Sequence, residues 1–75
     1  MIEAERKERA ENAYRTVLTY TQHRGHEGKD TLTEIQALMI DLLHEADLHQ
    51  GMGNARDFLD SVLDHFEAEA EEEIA

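Results

Sequence analysis

Residues 33–46 read TEIQALMIDLLHEA, and this stretch decides the fold. Its apolar side chains recur at intervals of three and four residues, which places them on one face of an α-helix. The apolar positions of this face are Ile35, Leu38, Met39, Leu42, Leu43 and Ala46. We therefore predict an amphipathic helix through this part of the chain.

Residues that start and stop helices flank this stretch. Thr31 and Glu34 have the spacing of a capping box, in which each side chain accepts a hydrogen bond from a backbone N–H group of the first turn. Gly51 supplies the stop, because glycine readily adopts the left-handed conformation common after a helix end.

A second stretch with the same pattern follows after a short connection. Asn54 is a good N-cap, and Asp57 lies in the first turn, where the helix dipole favours a negative charge. The apolar positions are Ala55, Phe58, Leu59, Val62, Leu63 and Phe66, and the stripe continues at Ala70 and Ile74. Because residues 51–53 form a short connection, we expect an antiparallel hairpin with both stripes facing inward.

The N-terminal part predicts one more helix, over about residues 2–23. It is rich in Ala, Glu, Arg and Lys, which favour helices. Its apolar positions are Ala10, Ala13, Tyr14, Val17 and Leu18. Residues 24–30, RGHEGKD, read as a polar loop. No segment alternates like a strand, so we predict an all-α fold of three helices in a single small domain, residues 1–75.

The small number of large apolar side chains bears on assembly. A chain of 75 residues without cysteine has no disulfides to support a small core. Apolar stripes that stay uncovered would be costly in water. We therefore expect a homodimer, in which two hairpins complete a helical bundle.

Charge is distributed unevenly along the chain. Residues 1–30 carry six basic and six acidic side chains, whereas residues 31–75 carry twelve acids and one base, so the whole net charge of −11 lies there. Such a field repels nucleic acid and anionic membranes and attracts basic proteins. High charge also keeps small helical proteins soluble, which is the simpler interpretation. The absence of cysteine fits a cytoplasmic location.

Motifs of known enzymes are incomplete in this sequence. Residues 25–30 lack the first glycine, the hydroxyl residue and the upstream strand of a phosphate-binding loop. His44 and His49 are five residues apart, about 140° around a helix, whereas a zinc-protease helix needs four. The only serine, Ser61, has no nucleophile turn around it. We expect no enzymatic activity and no catalytic residue.

Metal sites receive weak support from the same sequence. Histidines and acids at helical spacing could present ligands in pairs, but nothing fixes a third ligand. The residues concerned are His23, His26, Glu45, His49, His65 and Glu69. Two acid pairs on the third helix, Asp57 with Asp60 and Asp64 with Glu67, have a spacing suited to Mg²⁺, but basic residues for a phosphate substrate are missing. We expect no metal and no cofactor.

Three strings in the acidic half carry a family resemblance: IDLLHEAD at 40–47, DFLD at 57–60 and DHFEAE at 64–69. Over residues 35–70 the chain resembles short acidic all-helical proteins of unknown function that phages, prophages and plasmids encode. Several small acidic proteins of this kind inhibit host defence systems or host enzymes, some of them as nucleic-acid mimics. The resemblance implies an inhibitory class of role and carries over no catalytic residue.

These observations predict a non-enzymatic binding protein that contacts a basic, nucleic-acid-handling protein through its acidic half, without binding nucleic acid or membrane directly. The predicted contact residues are Asp41, Glu45, Asp57, Asp60, Asp64 and Glu67. The alternative is a structural module that self-associates through its apolar stripes, with the charge serving solubility alone.

Overall fold

The computed structural model describes residues 2–25 and 30–74, with side chains through residue 71. Three α-helices account for nearly all of these residues: α1 (Glu3–Arg24), α2 (Thr31–His49) and α3 (Ala55–Ile74). The described residues contain no strand. The predicted all-α class and the number of helices are confirmed.

Helix α1 ends at Arg24, one residue beyond the predicted boundary, and a glycine follows it. Gly25 has a left-handed backbone with φ of +73°, and its N–H group donates to the carbonyl oxygen of Gln22 at 3.2 Å. A side chain at this φ would be strained, so glycine suits the position. The polar loop predicted for residues 24–30 falls mainly on residues 26–29, which lie outside the described residues.

The predicted capping box at the start of α2 is wrong. Asp30 is the N-cap: its Oδ1 accepts the N–H of Thr33 at 3.1 Å and its Oδ2 accepts the Thr33 hydroxyl at 2.5 Å. These bonds from Thr33 lower the pKa of Asp30. Thr31 is the first residue inside the helix. An aspartate one position upstream competes well for the cap, because its charge also interacts with the helix dipole.

The predicted signals between α2 and α3 are confirmed. Gly51 has φ of +64°, and Met52 beyond it donates its N–H to the carbonyl oxygen of Ala46 at 3.0 Å. Asn54 caps α3, since its Oδ1 accepts the N–H of Asp57 at 3.1 Å. These bonds give partners to a carbonyl group at the end of α2 and to an N–H group at the start of α3.

Helix α1 packs against α2 through a small contact. Val17 is 7% exposed and Thr21 is also buried. Opposite them on α2, Glu34 is only 5% exposed. Val17 is the one buried apolar side chain in the described part of the chain. The interior of a single chain is therefore far smaller than the apolar pattern predicts.

A single chain does not enclose most large side chains of the α2 and α3 stripes, and the expectation that the stripes face inward in a bundle stays a prediction. Leu42 is 56% exposed and Val62 is 45% exposed. The others in the exposed class are Met39, Phe58, Leu63 and Phe66. The physical reason is the shape: the molecule measures 40 × 32 × 17 Å, too flat for three helices to enclose a core. None of the described helices combines the length and the apolar composition needed to cross a membrane.

Candidate functional site

Four of the predicted contact residues form one surface, which we name the acidic face of α3: Asp57, Asp60, Asp64 and Glu67. Their spacing places them within about 80° around the helix and about 15 Å along it. All four are exposed. Within the described residues, no hydrogen bond or ion pair engages their carboxylates. The acidic face is therefore solvated and free to meet another molecule.

The apolar stripe lies on the other side of the same helix. Phe58, Val62 and Phe66 are centred about 180° from the acidic face around α3. This separation means that covering the stripe leaves the acidic face open. It also means that a partner could neutralise the acids without disturbing the apolar contacts.

Asp41 has a different environment from the acidic face of α3. Its Oδ2 accepts hydrogen bonds from the Tyr20 hydroxyl and from Nη1 of Arg24, the latter at 2.7 Å. The Arg24 guanidinium also lies 5.9 Å from the centre of the Tyr20 ring. The bond from Tyr20, aided by the charge of Arg24, lowers the pKa of Asp41, and the same bond raises the pKa of Tyr20. This cluster, the Asp41 cluster, joins α1 to α2.

Glu45 is engaged at the end of α2. His49 Nδ1 lies 2.6 Å from one of its oxygens, and Gln50 Nε2 donates to the other at 3.1 Å. The contact with His49, followed by that with Gln50, lowers the pKa of Glu45. Glu45 and Asp41 thus already have partners within the chain, which a basic protein would have to share or displace.

His65 and Glu69, two of the candidate metal ligands, are four residues apart on α3 but make separate contacts. His65 Nδ1 lies 2.7 Å from the carbonyl oxygen of Ser61, in the preceding turn. Glu69 forms an ion pair with Arg9 of α1, with 3.1 Å between Oε2 and Nη1. No three potential ligands gather into a metal-binding group among the described residues. His26, one of the candidate ligands, lies outside them.

A buried polar contact beneath α1 was missed by the sequence reasoning. The Thr21 hydroxyl donates to Oε2 of Glu34 at 3.2 Å, and both residues are buried. The available signal was that Thr21 follows Val17 by one helical turn and so shares its face. The spacing of Glu34 from Thr31 instead predicts a role in the cap of its own helix.

An open groove with an almost wholly apolar lining separates α2 from α3. We name it the α2–α3 groove; its volume is about 400 Å³. Its walls are formed by Met39, Leu42, Leu43, Ala46, Phe58, Leu59 and Val62. Both helices contribute stripe residues to it, although the groove remains open to solvent. The predicted stripes thus meet at one surface without closing it.

A second, more polar cavity lies between the start of α1 and the end of α3. It is lined by Arg6, Arg9, Ala10, Phe66, Glu69 and Ala70. The ion pair of Arg9 with Glu69 joins the two helices across it. Because both side chains are substantially exposed, the pair contributes little to stability.

Comparison with known proteins provides no relative for this chain: no family model, curated protein or solved structure matches it.

Proposed function

We propose that this protein is a non-enzymatic acidic binding protein that acts by contacting a basic, nucleic-acid-handling protein. The observation that carries the proposal is the acidic face of α3, whose four exposed carboxylates have no partner among the described residues. A surface of unpaired like charges is electrostatically costly to the folded chain and favourable to a basic partner.

The charge of the rest of the chain supports this direction of binding. Residues 31–75 carry twelve acids and one base, so the field around α2 and α3 has a single sign. Such a field speeds the approach of a basic protein and slows the approach of nucleic acid or an anionic membrane. Asp41 and Glu45 extend the proposed surface onto α2, with their partners within the chain shared on binding.

One concrete form of this function is a phage-type inhibitor of a host defence system or host enzyme. The resemblance of residues 35–70 to short acidic helical proteins of phages, prophages and plasmids supports this form. A basic protein that handles nucleic acid already carries a surface suited to a row of carboxylates. We place this activity in the cytoplasm, in line with the absence of cysteine.

The proposal includes an antiparallel hairpin of α2 and α3 and a homodimer that completes a helical bundle. The shared lining of the α2–α3 groove supports the hairpin. The exposed stripe residues support the dimer, because large contiguous apolar patches are rare on monomers. These same residues favour a second candidate function, a structural module that self-associates and whose charge serves solubility.

The test compares two triple charge reversals. Asp57, Asp60 and Asp64 are changed to Lys in one variant, and Glu5, Glu8 and Glu11 of α1 are changed to Lys in the control. Each reversal adds two charges, so both variants move the net charge from −11 to −5. A partner is first captured on the immobilised protein and identified by mass spectrometry. Association rates are then measured by stopped-flow fluorescence at several salt concentrations.

We expect the α3 variant to associate at least about 10-fold more slowly than the wild type at low salt, because steering by the acidic face is lost. The control should stay within about threefold, and the wild-type rate should fall as salt screens the charges. Equal rates that do not respond to salt in all three proteins would instead favour the structural module.

A further inference from the structure

The single chain exposes more surface than a compact protein of its size. Its accessible area is 6167 Å², whereas a compact monomer of this mass exposes about 4,700 Å². The radius of gyration is 14.2 Å, against about 11 Å for a compact chain of this length. The chain thus exposes about 1,500 Å² more than the size scaling of compact monomers gives.

Part of the exposed apolar surface of the chain lies around the α2–α3 groove. Four of the seven residues that line it belong to the exposed class: Met39, Leu42, Phe58 and Val62. Leu63 and Phe66 continue the exposed apolar surface along α3. Contact with another molecule over these side chains would bury carbon rather than charge.

Helix α1 of the same chain contacts α2 beside this groove, and Arg9 in its N-terminal half borders the α3 wall at Phe58 and Val62 without lining the groove itself. Its contacts with α2 are made to Glu34 and Asp41 by Thr21, Tyr20 and Arg24. Glu34 and Asp41 lie about 80° and 100° around α2 from Leu42. While these bonds persist, α1 covers a neighbouring face of α2 and leaves the groove open.

Two other occupants fit the groove poorly. An anionic lipid surface is repelled by a chain of net charge −11. A basic amphipathic helix would bind more tightly to an apolar groove bordered by acidic residues. The acidic face of α3, however, points the opposite way from Phe58 and Val62. A second copy of the chain has the required apolar stripe and turns its own acids outward.

We infer that the α2–α3 groove is the homodimer interface, covered by the same groove of a second copy about a two-fold axis. The combined excess of two chains, about 3,000 Å² on the size scaling of compact monomers, is of the size that obligate homodimers bury, roughly 2,000–5,000 Å². An isologous contact of this kind closes at two copies and does not polymerise. This inference assigns the contact surface of the proposed homodimer and leaves two acidic faces pointing outward.

The test uses a pair of matched leucines on α2. Leu42 lines the groove, whereas Leu48 is 71% exposed, lies on the other side of the helix and does not line it. Leu42→Glu and Leu48→Glu make the same chemical change at exposed positions of the single chain. Mass is measured by light scattering across protein concentrations, without any basic partner, and the dimer dissociation constant is derived from it.

We expect the wild type to have twice the chain mass of 8.6 kDa. Leu42→Glu should raise the dimer dissociation constant at least about 100-fold, because it buries unpaired like charges at the interface. Leu48→Glu should stay within about threefold. Should Leu42→Glu fail to fold, Leu42→Ala and Leu48→Ala repeat the comparison without a charge, with about 10-fold weakening expected for the former alone.

The wild type alone provides an independent check. If folding and dimerisation are coupled, its thermal midpoint should rise with protein concentration. A mass of 8.6 kDa with a concentration-independent midpoint would overturn the inference. So would equal weakening by the two leucine variants, or assembly only after addition of lipid vesicles or a basic amphipathic peptide. The acidic-face experiment is independent of these outcomes, since it measures association with a different protein.

Discussion

Shortening Val17 tests whether the contact of α1 with α2 is the folded interior of the single chain. Val17 is the one buried apolar side chain of the described residues, at 7% exposure. Val17→Ala removes two buried carbons at about 0.8 kcal/mol each. A residual cavity adds to this loss, while the better helix propensity of alanine recovers a few tenths of a kcal/mol.

We expect a net loss of about 1–2 kcal/mol in the free energy of unfolding from Val17→Ala, on these terms. For a domain of this size that corresponds to a drop of about 5–15 °C in the thermal midpoint. Leu48→Ala is the control, because Leu48 is 71% exposed. This substitution should change the free energy of unfolding by less than about 0.5 kcal/mol. Midpoints are measured by circular dichroism at one fixed protein concentration. A drop for Val17→Ala no larger than the control's would refute the assignment of this contact as the interior.

Three further predictions concern polar contacts. The pKa of Asp41 is lowered in the folded chain, so its contribution to stability is present above the ordinary aspartate pKa and is lost as pH falls through the folded value. Asp41→Asn should therefore weaken the dependence of the thermal midpoint on pH in the acid range. The same dependence in variant and wild type would contradict this. Asn54→Ala should cost about 1 kcal/mol by removing the cap of α3, whereas Asn54→Asp should retain stability in the same urea titration. Thr21→Val should cost about 1–3 kcal/mol, because Glu34 loses a buried hydrogen bond; equal urea midpoints for variant and wild type would show that this bond contributes nothing.

Local signals predicted the helices well. Asn54 and Gly51 act through their own side chain or backbone and their immediate neighbours, so their roles follow from residue type and position. The start of α2 shows the limit of this approach. Asp30 and Thr31 are both good N-caps, and the choice between them depends on where the chain arrives from α1.

The candidate site was predictable in part for the same reason. The acidic face of α3 follows from helical periodicity alone, since Asp57, Asp60 and Asp64 recur at three and four residues. Asp41 is also an aspartate on a helix, like the three on α3. It nevertheless accepts hydrogen bonds from Tyr20 and Arg24, which lie seventeen or more positions earlier in the chain. No local pattern indicates a pairing between residues so distant along the chain.

The sequence by itself determined the three helices, the opposed apolar and acidic faces of α3, and the concentration of negative charge in residues 31–75. These depend on periodicity and composition, which act over a few residues. Only the tertiary structure decided which side chains are covered. Val17, Thr21 and Glu34 are buried, whereas Leu42 lies in solvent. Burial depends on how helices are placed in three dimensions, and the same apolar stripe can face its own chain, a second copy or water.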